Sequence, residues 1–170
     1  MKNFLVFLLV VGALYFVWKS DLLGLGLNRN SSAIANPVYG VIRLRAEFQD
    51  RTINAVELAK TFDQADCARN TKDAVDRMTR QQNQGSALMW QLVSSECKSV
   101  LDSPDLKLFD NKPSFTNYLS AAPGDSSERE LRLIFWGVTA QEGDSICAEI
   151  PRLKDRWHGT VTCIQALPSQ

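Results

Sequence analysis

The stretch VIRLRAEFQDRTINAVELA, residues 41–59, sets the plan of the folded part of this chain. Every second residue from 42 to 48 is apolar, and Arg43, Arg45 and Glu47 lie between them. This period of two is typical of a strand with one buried face. The next three residues, QDR, predict a turn, and the remainder of the stretch predicts a second strand.

A helix is expected after the second strand. Asp63 is a suitable N-cap, and Asp66 in the first turn complements the positive end of the helix dipole. Gly85 ends the helix, and residues 87–97 predict a third strand. The core-facing residues of this helix recur at helical spacing: Ala68, Thr71, Val75 and Met78.

The same order of elements is predicted a second time. A connector at residues 99–114 contains two prolines and allows one short helical turn. Residues 116–121 and 131–136 predict two further strands, and residues 160–166 predict the last one.

The second helix is predicted between these strands. Thr139 and Glu142 have the spacing of a capping box, which satisfies free N–H groups at a helix start. Pro151 predicts a kink, because it removes one helical hydrogen bond. The apolar face of this helix consists of Ile146, Ile150, Leu153 and Trp157.

The pattern predicts an α+β fold, in which two β-β-α-β units form a mainly antiparallel sheet covered by two helices. The units correspond to residues 39–98 and 115–167 and indicate a degenerate internal duplication, with chance similarity as the alternative. Together they form one domain, residues 39–167. It follows a flexible linker at residues 23–38, which is rich in Gly, Asn and Ser.

All four cysteines lie in this domain: Cys67, Cys97, Cys147 and Cys163. An even number of cysteines behind an export-type segment favours two disulfides. A duplication would join each helix to the strand after it, as Cys67–Cys97 and Cys147–Cys163. Each closed loop would then stabilise the fold by roughly 3–4 kcal/mol on the chain-entropy model. The two other pairings and free buried thiols are the alternatives.

The chain begins with an uncharged, almost wholly apolar run from Phe4 to Trp18, between Lys2 and Lys19. Such a run partitions into a bilayer. We expect residues 1–22 to form a single-pass membrane anchor that holds the domain outside the inner membrane of a bacterium. A cleaved signal and a buried soluble helix are alternatives, because the run is shorter than the roughly 20 residues that span a bilayer.

Charge excludes one class of partner. The chain has 19 basic and 19 acidic residues. The first 36 residues hold three of these cations and one anion, which leaves 16 basic and 18 acidic residues in the domain. A near-neutral domain has no electrostatic reason to bind nucleic acid.

No motif predicts a catalytic constellation, a cofactor or a metal site. The only histidine, His158, follows the second helix and is interpreted as a helix cap rather than a base. The acidic pairs Asp63 with Asp66 and Glu142 with Asp144 fall in first helical turns, where acids stabilise the dipole.

Two groups of residues are candidates for a partner surface. Trp90, Trp136 and Trp157 are most simply core residues, but an exposed Trp would mark an interface. Arg43 and Arg45 share one strand face and could bind an acidic group, although a solvated face is the simpler interpretation.

The expected function is a non-enzymatic interaction module of the bacterial cell envelope, which binds a protein or cell-wall partner. A secreted or periplasmic hydrolase that uses carboxylates is the first alternative. A structural subunit of a membrane assembly is the second.

Overall fold

The computed structural model describes residues 34–48, 50–82, 89–125, 127–148, 150–151 and 157–167. These ranges contain six strands and three helices. The strands are β1 (Val38–Phe48), β2 (Arg51–Thr61), β3 (Trp90–Lys98), β4 (Tyr118–Ala122), β5 (Glu130–Trp136) and β6 (Thr160–Ile164). The helices are α1 (Gln64–Gln82), α2 (Ser103–Phe109) and α3 (Ala140–Ala148).

The six strands form one antiparallel sheet in the order β3-β1-β2-β5-β4-β6. The predicted α+β class and antiparallel sheet are therefore confirmed. The order is symmetric about the β2–β5 pair, because each half places its first strand between its second and third. A duplication would produce this symmetry, although common ancestry of the halves stays a prediction.

Both long helices begin where their capping residues predict. The N–H of Asp66 donates to the Asp63 carboxylate at 2.8 Å, and the N–H of Phe62 donates to the Asp66 carboxylate at 3.1 Å. At α3 the N–H of Thr139 donates to Glu142 at 2.8 Å, and the N–H of Glu142 donates back to the Thr139 hydroxyl at 3.3 Å. Both helix starts are thus fixed by local sequence.

The sheet is buried on both faces. On one face, α1 and α3 cover a core that includes Leu44, Ala74 and Ile146. On the opposite face, α2 covers a smaller core that includes Val41 and Leu108. Alternate residues of β1 therefore enter different cores, as the period of two requires.

The expectation of two helices was incomplete, because the connector supplies a third one with a packing role. Pro104 stands in the first turn of α2, where its missing N–H costs nothing. Buried Arg132 of β5 donates to the carbonyls of Leu108 at 2.8 Å and Phe109 at 3.2 Å. These bonds satisfy the end of α2 and fasten it to the sheet.

The disulfides join Cys67 to Cys97 and Cys147 to Cys163, with Cα–Cα distances of 6.0 and 5.4 Å. Each one links a helix to the third strand of the same half, the pairing inferred from a duplication. Two disulfides are typical of an oxidising compartment outside the cytoplasm.

Several predictions concern residues outside the described ranges. The predicted start of β3 at Ala87 lies outside the described residues, as do residues 152–156 of the predicted second helix. Pro151 is described and is helical, and the predicted kink stays a prediction. The expected anchor at residues 1–22 also lies outside them. Within the described ranges, no helix is both long and apolar enough to cross a membrane.

Candidate functional site

β3 and β6 are the terminal strands of the sheet, and of these two strands only β3 contains large apolar side chains that are exposed. β3 is terminal in the strand order, and no described strand pairs with its outer side. Beside it, Met89, Leu92 and Val93 are 59%, 43% and 55% exposed. We call residues 89–95 the β3 edge; they carry no charge. The Trp90 carbonyl accepts a hydrogen bond from the Gln82 side chain. The unpaired backbone groups farther along the strand, next to exposed apolar side chains, form a template for a further strand.

A β-bulge shapes the β3 edge. Ser94 pairs with Arg43 and Leu92 with Leu44, so Val93 between them has no partner on β1. A bulge bends a strand and increases its twist, which discourages indiscriminate pairing of flat edges. A partner strand must therefore match the bend.

The two arginines singled out in the sequence lie on β1, beside β3 and on the face that α2 covers. Arg43 donates to Asp105 of α2 at 2.8 Å, so its charge is compensated within the domain. Arg45 is exposed, and its register partners Asn54 and Gln91 are both neutral.

The tryptophans belong mainly to the core. Trp90 and Trp157 are buried on the α1–α3 face, and Trp157 donates to the carbonyl of Ala122 at 2.8 Å. Trp136 is half-buried against the α2-face core. Among these three, only Trp136 retains appreciable exposure, so the open surface is formed by the aliphatic residues of β3.

Asp125, Glu128 and His158 form a cluster that the sequence interpretation missed. Their ligand atoms lie within 4.8 Å of one another, a spacing compatible with a metal ion. Nδ1 of His158 lies 2.7 Å from Asp125, and hydrogen bonds from Ser127 lower the pKa of the Asp125 carboxyl further than burial raises it. The only sequence signal was the histidine itself, since Glu128 and Asp125 precede it by 30 and 33 positions.

The contacts of Glu128 hold two backbone segments together, and this role accounts for its position without a metal ion. Its carboxylate accepts backbone N–H bonds from Gly124 at 2.7 Å, His158 at 2.6 Å and Gly159 at 3.1 Å. A Cβ at Gly159 would overlap the carbonyl of Ala122, so the two loops approach too closely for any other residue. Glu128 therefore fastens the β4–β5 loop to the segment before β6.

Two of the ion pairs that cross between the halves join a helix of one half to a residue of the other. Arg129, just before β5, donates to Asp66 of α1 at 2.8 and 3.0 Å. In the second pair the arginine comes from the first half: Arg51, the first residue of β2, forms an ion pair with Glu142 of α3. Burial opposes ionisation of both acids, but hydrogen bonds led by the arginines lower the pKa of each carboxyl. Asp66 and Glu142, one acid from each predicted pair, therefore have structural roles.

Glu57 is the exception among the buried charges. It lies on β2 between Ala55 and Ala59, facing the α1–α3 core, and is only 8% exposed. Burial raises the pKa of Glu57 from 4.5 to about 7, against the attraction of the Arg77 guanidinium. Nε of Arg77 is itself buried without a hydrogen-bond partner.

Comparisons of the chain with protein-family models, with curated proteins and with solved structures find no match.

Proposed function

We propose that this chain is a non-enzymatic interaction module that binds an extended segment of a partner protein along the β3 edge. One observation carries the proposal: a terminal strand has an open backbone edge beside three exposed apolar side chains. Strand addition supplies affinity through main-chain hydrogen bonds and specificity through alternate side chains. The disulfide between Cys67 and Cys97 joins β3 to α1 and so supports the strand that carries the edge.

The proposed location is the outer side of a bacterial inner membrane. Two disulfides support an oxidising compartment. The apolar run from Phe4 to Trp18 supports a tether in the membrane, followed by the linker at residues 23–38. A tethered module of this kind would meet partners in the same membrane or in the space beyond it.

The test places a photo-crosslinking amino acid at position 93 of the full-length chain in intact membranes. We expect crosslinks to an extended segment of one partner, identified by mass spectrometry of the joined peptides. Val93→Lys should reduce co-purification of that partner at least tenfold, because a charge on the edge blocks strand addition. The matched control is Val100→Lys: Val100 is 75% exposed but lies outside β3, so partner recovery should not change.

A second probe at Phe115 separates the competing surfaces. Phe115 is 93% exposed and lies in the connector before β4, at the other end of the sheet. Reproducible crosslinks from position 115 with none from position 93 would refute the assignment to β3. Equal loss of the partner in Val93→Lys and Val100→Lys would also refute it, since a lysine added outside β3 would then weaken binding as much as one on the edge.

A further inference from the structure

Of the two arginines of β1 that are in register with the β3 edge, Arg45 is uncompensated in the described part of the domain. Arg45 makes no ion pair with a described residue, whereas Arg43 two positions earlier is bound by Asp105. The next acid along the strand, Glu47, accepts hydrogen bonds from the Thr52 hydroxyl at 3.0 and 3.1 Å and is thus oriented toward β2. The charge of Arg45 therefore remains available on the side toward β3.

The geometry of a sheet places Arg45 within reach of an added strand. Neighbouring strands lie about 4.8 Å apart, so a strand beside β3 would run about 10 Å from β1. Gln91, in register with Arg45, is neutral and therefore does not repel an approaching acid. An extended Arg side chain and a Glu side chain together span this distance.

On the opposite face of β3, the exposed side chain is apolar. Leu92 is in register with Leu44 and faces the α1–α3 core, yet it is 43% exposed. An added strand would cover Leu92 there and contact Val93 at the bulge. Because side chains alternate between the faces of a strand, one partner segment can place an acid near Arg45 on one face and an apolar side chain over Leu92 on the other.

We infer that the partner segment is an acidic amphipathic strand, with apolar residues that cover Leu92 and Val93 and an acid that pairs with Arg45. This inference rests on the proposed function and specifies its partner by charge complementarity. Acid recognition would give specificity, and backbone pairing would give most of the affinity.

The test uses synthetic ten-residue peptides in which Val alternates with Thr. One Thr position at a time is replaced by Glu, Gln or Lys, and binding to the oxidised full-length chain is measured by fluorescence anisotropy. At the best position, the Glu peptide should bind about two- to fivefold more tightly than the Gln peptide, the range of an exposed ion pair. The preference should weaken at high salt.

A charge-reversal variant provides the decisive comparison of peptide preferences. Arg45→Glu should transfer the preference from the Glu peptide to the Lys peptide. Lys107→Glu makes the same charge change at an exposed position of α2 and should leave the preference unchanged. A general effect of net charge would affect both variants equally and would overturn the inference.

The remaining outcomes distinguish the two proposals. Binding that is equal for Glu, Gln and Lys peptides but abolished by Val93→Lys refutes the acidic partner and retains strand addition. If no peptide binds, the segment crosslinked at position 93 decides: an acid opposite Gln91 supports the inference, and its absence overturns it. Crosslinks only to β3 of a second copy would also overturn it. Failure of every peptide and every crosslink at position 93 refutes the proposed function itself.

Discussion

Glu57→Gln is expected to stabilise the domain above pH 7 by about 3 kcal/mol relative to the parent chain. Burial raises the pKa of Glu57 to about 7 in the folded state, from 4.5 when it is free in water. The folded chain therefore binds a proton more tightly than the unfolded chain. Its stability falls as the pH rises from 4.5 to 7, by about 1.4 kcal/mol for each pKa unit. Glutamine cannot ionise, so the variant escapes this loss.

The measurement is urea unfolding of the oxidised protein at pH 5 and pH 8. The variant and parent should differ little at pH 5, where Glu57 is mostly neutral in the folded state. The matched control is Glu96→Gln, which removes a more exposed acid on β3 and should change the two stabilities equally. If Glu57→Gln instead destabilises the protein at pH 8, attraction to Arg77 stabilises the ionised carboxylate by more than burial opposes it, and the argument from a raised pKa is refuted.

The position of Glu57 also shows where sequence patterns are misleading. The sequence pattern correctly predicted both β1 and β2, and the period of two that identified β1 depends on local geometry alone. It did not assign Glu57 to the core, since an acid between alanines looks like part of a solvated face. Arg132 is a parallel case: it alternates with apolar residues of β5 but is fully buried beneath α2.

The missed features share one physical reason. Capping boxes involve residues three apart, so the sequence revealed both helix starts. The packing of α2 on the second sheet face and the strand order depend on contacts between distant residues. The cluster around His158 and the exposure of the β3 edge depend on the same long-range arrangement. The edge could be recognised only after β3 was known to be terminal.

Asp66→Asn is expected to destabilise the domain by about 3 kcal/mol at pH 7. Asp66 is buried and accepts bonds from Arg129 of the other half, from Arg69 and from the backbone of Phe62. Asparagine removes the charge that compensates Arg129, and loss of one member of a buried ion pair is far more costly than loss of a surface pair.

A matched substitution isolates the effect of burial. Asp76→Asn breaks the exposed pair with Lys72 on the same helix and should have no measurable effect. Equal unfolding midpoints for the two variants would mean that the bond between the halves contributes no more than a surface pair.

The pH dependence provides a second criterion for Asp66. Although burial opposes it, hydrogen bonding led by Arg129 lowers the pKa of Asp66 below its ordinary value of 3.8. Its contribution is therefore complete well above pH 3.8 and is lost as the pH falls through the lower folded-state pKa. The difference between parent and Asp66→Asn should then shrink toward low pH. The difference for Glu57→Gln shrinks in the same direction but has the opposite sign, because that variant is the more stable protein at high pH. A difference that stays constant down to pH 2.5 would assign the effect to packing of the side chain, because protonation would then be without consequence.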